Sequence, residues 1–202
     1  MNDLYKALGD ISNIRRQLAR STEFHGYGPA TIASTAVFAI VAATVQSFVV
    51  SDPFTHLGVY LSIWIWTAFV SAALIGVQMH TRSRRIHSGL ADEMIRMAVE
   101  QFLPAAAAGF LVTLVLVRFV PSVVWMLPGL WQIIFSLGVF SSCRFLPRPI
   151  LVAGVWYLLT GLTCLALGGN RSLSPLAMAV PFGAGQLLVA GILLFTAKET
   201  AE

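Results

Sequence analysis

The chain has 202 residues, 57% of them hydrophobic and 11% charged, with a formal net charge of +4. A soluble domain carries about a quarter charged residues, so a water-soluble surface for a chain of this length is excluded. The apolar residues instead cluster in blocks long enough to cross a bilayer, for which about 20 residues suffice. The small positive excess is what basic cytoplasmic loops produce, and no nucleic-acid partner is expected from it.

The opening stretch, MNDLYKALGDISNIRRQLAR, has no apolar core followed by small residues, so no cleaved secretory signal is expected there. Leu4, Leu8, Ile11 and Leu18 recur at heptad-like spacing with Met1 extending the pattern, while Lys6, Asp10, Arg15, Arg16 and Arg20 fill the other positions. That predicts an amphipathic helix with three placements open to it. It can lie on the cytoplasmic leaflet with its arginines near lipid phosphates, pair with its counterpart in a second subunit, or pack against another helix of its own chain. The hinge STEFHGYGP then turns the chain into the membrane, Gly26 and Gly28 freeing the backbone and Pro29 suiting a first helical position. Residues 1–28 therefore form a cytoplasmic unit ahead of the membrane domain.

Six apolar blocks follow, at about 29–50, 57–79, 103–120, 124–143, 149–167 and 175–197, with 198–202 as a cytoplasmic tail. The boundary between the third and fourth is the least regular, because Arg118 and Pro121 interrupt FLVTLVLVRFVPSVVWMLPGLW. A tight hairpin around Pro121 and Ser122 accounts for the interruption; a single broken helix would leave five spans. Charge separates the two. Lys and Arg accumulate in cytoplasmic loops, and six spans put Lys6, Arg15, Arg16, Arg20, Arg82, Arg84, Arg85, Arg96, Arg144, Arg148 and Lys198 on one side, leaving only Arg118 and Arg171 on the other. The fold class is therefore all-α: a polytopic membrane protein with six transmembrane helices, both termini cytoplasmic, and cytoplasmic amphipathic helices. Trp64 and Trp66 fall in mid-span as packing residues, and Trp125 and Trp131 bracket the outer end of the fourth span, where aromatic belts are enriched.

QMHTRSRRIHSGLADEMIR, residues 78 to 96, is the densest cluster of polar chemistry in the chain. Placed between the second and third spans it is the longest loop, facing the cytoplasm. Arg82, Arg84 and Arg85 can each contact anionic head groups for roughly 1 kcal/mol, as can Arg15, Arg16, Arg20, Arg144 and Arg148 elsewhere on that side. Ser88 suits a helix N-cap with Asp92 and Glu93 in the first turn. A helix over about 88–102 then presents Leu90, Met94 and Met97 as an apolar stripe leading into the third span. A metal site would need His80, His87 and a carboxylate such as Asp92 to converge. Ser88 and Gly89 break that path, three arginines repel a cation, and no metal-ligand spacing occurs. No metal and no cofactor are expected.

No Asp or Glu falls inside any of the six blocks, which disfavours a carrier working through a buried carboxylate. Gln132 and Gln186 are the candidate intramembrane polar pair. Each follows a Pro and Gly cluster, PGLWQ in one span and PFGAGQ in the other, suggesting that the hairpin of spans three and four recurs in spans five and six. The two amides either line a small polar cavity or act as helix glue, alongside Ala72-xxx-Gly76 and Ala105-xxx-Gly109. Cys143 and Cys164 fall on different spans without a CxxC partner, so both are expected as free thiols, and no serine or cysteine has an activating base in view.

RRQLARSTEFHGYGPAT, SRRIHSGLADEM, LPGLWQIIFSLGVFSSCRFLPR and PFGAGQLL together resemble an uncharacterised group of small six-span bacterial inner-membrane proteins. The resemblance implies an address, the bacterial inner membrane, and a multi-pass topology, with no activity attached. No catalytic constellation accompanies it. The function expected is that of a non-enzymatic membrane partner or regulatory scaffold presenting cytoplasmic helices, in contact with the bilayer and its anionic head groups and with a cytoplasmic protein or further copies of itself. The alternative is a small-solute transporter or channel-like protein acting as an oligomer.

Overall fold

In the computed structural model of the chain the described residues are 28–86, 89–143 and 148–199, with the backbone alone described over 82–86, 89–99 and 197–199. The amino-terminal helix expected before the hinge lies outside them. Among the described residues the fold is all-helical. Six helices carry it: α1 (Pro29–Val49), α2 (Leu57–Ile86), α3 (Gly89–Phe119), α4 (Leu127–Ser142), α5 (Leu151–Leu167) and α6 (Pro175–Glu199). A tight helical segment, Pro121–Met126, precedes α4, a short one, Arg148–Ile150, precedes α5, and a single turn, Gly169–Ser172, precedes α6. With the short segments that precede α4 and α5 counted in, all six are long and apolar enough to cross a membrane, the arrangement of a multi-pass membrane protein.

Each helix packs against its neighbours in the chain, and α6 returns to close the ring on α1. The α1–α6 and α4–α5 contacts are the most extensive, and α2–α3 is the slightest of the six. On α1 the buried residues Ile32, Thr35, Ala36, Ala39, Ala42, Ala43 and Gln46 recur every three or four positions, which is one helix face. Alanine dominates that face, so the backbone of α6 comes close, as small residues allow in membrane helices. The pair is antiparallel, Ile32 packing with Ala190 and Leu193 while Gln46 reaches Leu173. Gly28 and the end of α6 thus share one end of the bundle, the near end. The far end holds the connections at 50–57, 120–127 and 168–175.

The third and fourth spans form a tight hairpin rather than one broken helix. Trp131 Nε1 donates to Thr113 Oγ1 at 2.8 Å, and Ser141 Oγ donates to the Gln101 carbonyl at 3.3 Å, pairs whose midpoints fall around Pro121 and Ser122. The turn at the end of α5 uses Gly168 and Gly169 at φ 65° and 54°, the left-handed region where a Cβ is strained. Gly28, by contrast, has φ −74°, open to any residue. Its N–H donates to Gln78 Oε1 at 3.1 Å, and a Cβ there would displace the same amide, the movable end of a flexible side chain.

Two boundaries differ from those read off the sequence. The stretch expected as a loop after Met79 continues α2 through Ile86, and the helix expected over 88–102 is not a separate element but the first part of α3. No proline falls between Leu57 and Ile86, and arginine propagates a helix well. At 30 and 31 residues, α2 and α3 are each about 45 Å long, against a hydrocarbon core of about 30 Å.

The interior is filled at both ends. Near the far end Ala39, Ala42, Ala43, Tyr60, Leu61, Trp64, Val124, Leu127, Leu173 and Met178 form the larger cluster; Ile32, Ile150, Ala190 and Leu193 form the smaller one at the near end. Between them Phe135 of α4 packs edge-on against Tyr157 of α5 at 4.7 Å and Phe182 of α6 at 5.6 Å. Trp64 is buried as expected, but Trp66 faces outward at 64% exposure. Two residues along a helix are about 200° apart, so only one of them can face the core.

Candidate functional site

The most elaborate polar arrangement surrounds the entry to α6. Pro181 interrupts this helix and has no N–H, so the carbonyl of Ala177, four residues earlier, loses its helical donor. Gln132 of α4 supplies one, its Nε2 donating to Ala177 O at 2.9 Å across the ring. Four residues before Ala177, the Leu173 carbonyl accepts from Gln46 Nε2 of α1 at 2.8 Å. Four residues after it, the Pro181 carbonyl accepts from Trp156 Nε1 of α5 at 3.0 Å. Three neighbouring helices therefore each place one side-chain donor on the backbone of the same segment. Gln46 is itself oriented by Trp64 of α2, whose Nε1 donates to Gln46 Oε1 at 2.8 Å. Ser172 Oγ fastens the preceding turn by donating to the Cys164 carbonyl at 2.7 Å.

Among the described residues three buried side-chain polar atoms have no hydrogen-bond partner: Gln132 Oε1 and the hydroxyls of Tyr60 and Tyr157. Tyr157 and Gln132 are both fully buried. The Tyr157 ring lies against Phe182 at 5.4 Å and against the backbone of Gly185, and its hydroxyl faces the amide of Gln186 without closing a hydrogen bond. An unpaired buried hydroxyl or amide costs about 1–3 kcal/mol, so these groups stand out among the described buried polar side chains.

The candidate pair Gln132 and Gln186 is not brought together as a pair. Gln132 is tied to Ala177, whereas Gln186 sits nine residues further along α6, about 13 Å deeper at 1.5 Å per residue. The amides occupy different depths and different helix contacts, so the two Pro/Gly/Gln stretches are not equivalent positions of a repeated hairpin. Sequence reasoning passed over Gln46, which is 1% exposed and holds two hydrogen bonds. Its signal was available: a lone amide within the apolar run VAATVQSFVV.

Glycine supplies the close contacts. A Cβ on Gly161 would stand 2.8 Å from the Gly129 carbonyl, and one on Gly138 2.6 Å from the Phe102 ring. Gly76 faces open space and Gly109 has only Ile134 at 3.9 Å, whereas Ala105, at the head of the second motif, stands 3.2 Å from where a Cβ on Gly138 would sit, so α3 meets α4 closely at Ala105 and not at Gly109.

Of the candidate lipid-contacting arginines, Arg148 is described and exposed at the near end. Arg15, Arg16, Arg20 and Arg144 lie outside the described residues, and Arg82, Arg84 and Arg85 lie where α2 is described by its backbone alone. Both cysteines are free thiols, Cys164 buried and Cys143 half-buried at the end of α4, where burial pushes its thiol pKa up. Among the described residues no group of three or more His, Cys, Asp or Glu could hold a metal ion. Ser136, Ser141, Ser142 and Ser172 all donate to backbone carbonyls. The chemistry present is that of neutral amides, hydroxyls and an indole, suited to holding backbone in place. Comparison with protein-family models, with curated proteins and with solved structures finds no match.

Proposed function

We propose that this chain is a non-enzymatic membrane partner or regulatory scaffold, seated in a bacterial inner membrane with both termini in the cytoplasm. The observation that carries this reading is the continuation of α2 and α3 as helices past their apolar stretches, into the segment that holds Arg82, Arg84, Arg85 and Arg96. Helical surface extending from the near end suits docking, with the arginines set against anionic head groups. The amides and aromatics of the ring interior are spent on internal contacts, which supports the same reading. Gly28, bonded to Gln78, sets the start of α1 beside α2.

Crosslinking from native membranes tests this, comparing the full chain with one lacking residues 1–20. A protein captured by the full chain and lost on deletion is the expected result. Self-association alone, unchanged by the deletion, would overturn it. The second reading, a small-solute transporter acting as an oligomer, is favoured by one observation, the unpartnered Gln132 Oε1 and Tyr157 hydroxyl beside a helix with an internal proline. It predicts solute flux that Gln132→Ala removes.

A further inference from the structure

The two parts of α6 are held differently. Beyond Pro181 the helix is joined to its neighbours by packing: Gly183 lies against Ile40, Gly185 against Tyr157, and Ala190 and Leu193 belong to the near-end cluster. Before Pro181 the segment is held by Leu173 and Met178, plugged into the far-end cluster, and by side-chain donors on its carbonyls from Gln46, Gln132 and Trp156. Pro181 removes one of the backbone hydrogen bonds that join the two parts, a known cause of bending in helices.

The unpartnered atoms lie on either side of this break. Gln132 reaches Ala177, before it, while the Tyr157 hydroxyl lies against Gly185, after it. Both are sealed away from water in the closed arrangement, which leaves their hydrogen-bonding capacity unused. A movement that admitted water at the far end would satisfy both, offsetting part of the packing lost.

We propose that residues 169–181 form a latched element that pivots at Pro181, with Gln46, Gln132 and Trp156 as the latch, and that its opening hydrates Gln132 Oε1 and the Tyr157 hydroxyl. The device belongs to the far end of the bundle and is independent of the scaffold reading, which concerns the near end. Bending there needs no break in α1, α4 or α5, because each contributes a side chain and not its backbone.

Hydrogen exchange on the full chain in lipid nanodiscs, read by mass spectrometry, tests it. In the unaltered protein peptides from 169–181 are expected to exchange faster than those from 182–196. Gln46→Leu leaves the Leu173 carbonyl and the Trp64 indole without their partner, so exchange over 169–181 is expected to rise roughly tenfold, with 182–196 unchanged. Pro181→Ala restores an N–H for the Ala177 carbonyl and is expected to slow exchange over 169–181 severalfold. It also decides the matter should Gln46→Leu fail to fold. Exchange of all of α6 as one unit, or a folded Pro181→Ala protein whose 169–181 peptides exchange no more slowly, would overturn the proposal.

Discussion

The spans of α3 and α5 are matched in length and nearly matched in hydropathy, yet they occupy opposite situations. A third of the most apolar window of α5 is buried inside the bundle and none of the window of α3 is. Hydropathy takes both across the membrane, but it cannot rank them, because lipid and protein interior are equally apolar. What draws α5 inward is shape and polarity: Gly154 and Gly161 admit Phe140 and the Gly129 backbone, while Tyr157 and Trp156 meet partners on α6. The α3 window offers Phe110, Leu111, Leu114 and Val115 to its surroundings, and meets α4 through the Thr113–Trp131 and Gln101–Ser141 hydrogen bonds.

That contrast can be broken by truncation. Leu127→Ala, at a side chain with no exposure in the far-end cluster, should destabilise the protein by about 3 kcal/mol. Leu111→Ala on the outward face of α3 should cost under about 0.5 kcal/mol. Unfolding in mixed micelles measures both, and equal losses would mean that the outward face of α3 is as tightly packed as the far-end cluster.

Adding a methyl group sharpens it from the other direction. Gly161→Ala pushes a Cβ against a backbone carbonyl at 2.8 Å, which cannot swing aside, and about 2 kcal/mol of destabilisation is expected. Gly109→Ala, with its nearest atom at 3.9 Å, should be neutral or slightly stabilising through better helix propensity. A Gly161→Ala protein as stable as the parent would show that α4 and α5 separate freely.

A smaller effect is expected from Trp131→Phe, which removes the one indole bond joining α3 to α4 near the far end. The loss should be about 1 kcal/mol, and Thr113→Val in the same background should add almost nothing further. Additivity of the two changes would show that the hydrogen bond is not what they share.

The last difference is kinetic. Burial raises the Cys143 thiol pKa, so less thiolate is present at neutral pH and maleimide should label it more slowly than a free cysteine. The rate should climb as pH is raised through the elevated pKa. Labelling from the cytoplasmic side of inverted vesicles, and not from the other face, would also check the orientation expected from the basic loops. Rapid, pH-independent reaction would contradict a half-buried site.

Much of the architecture was legible before any coordinates, for a physical reason: a bilayer imposes length, apolarity and charge sidedness on the chain one segment at a time. The six blocks, the hairpin at Pro121 and Ser122, and the free thiols Cys143 and Cys164 need only local composition and spacing. Gln46 shows where such reading stops. As a single amide in an apolar run it is unremarked, and it becomes the centre of a network only because α2 brings Trp64 and the α6 entry brings Leu173 to it. Gln132 and Gln186 show the converse. Similar neighbourhoods made them look like partners, whereas helix register separates them by several turns.

By itself, then, the sequence determined that this chain has six segments able to cross a membrane, where they turn, and which loops are basic, since each of these depends on residues close together in the chain. Only the tertiary structure decided which apolar faces meet each other, that the carbonyls of Leu173, Ala177 and Pro181 are each met by a donor from a different helix, and that Gln132 Oε1 and the Tyr157 hydroxyl go unmatched. Those outcomes depend on depth and rotation across helices far apart in the chain, and hydropathy, which is the same on every side of a lipid-bathed helix, carries no record of either.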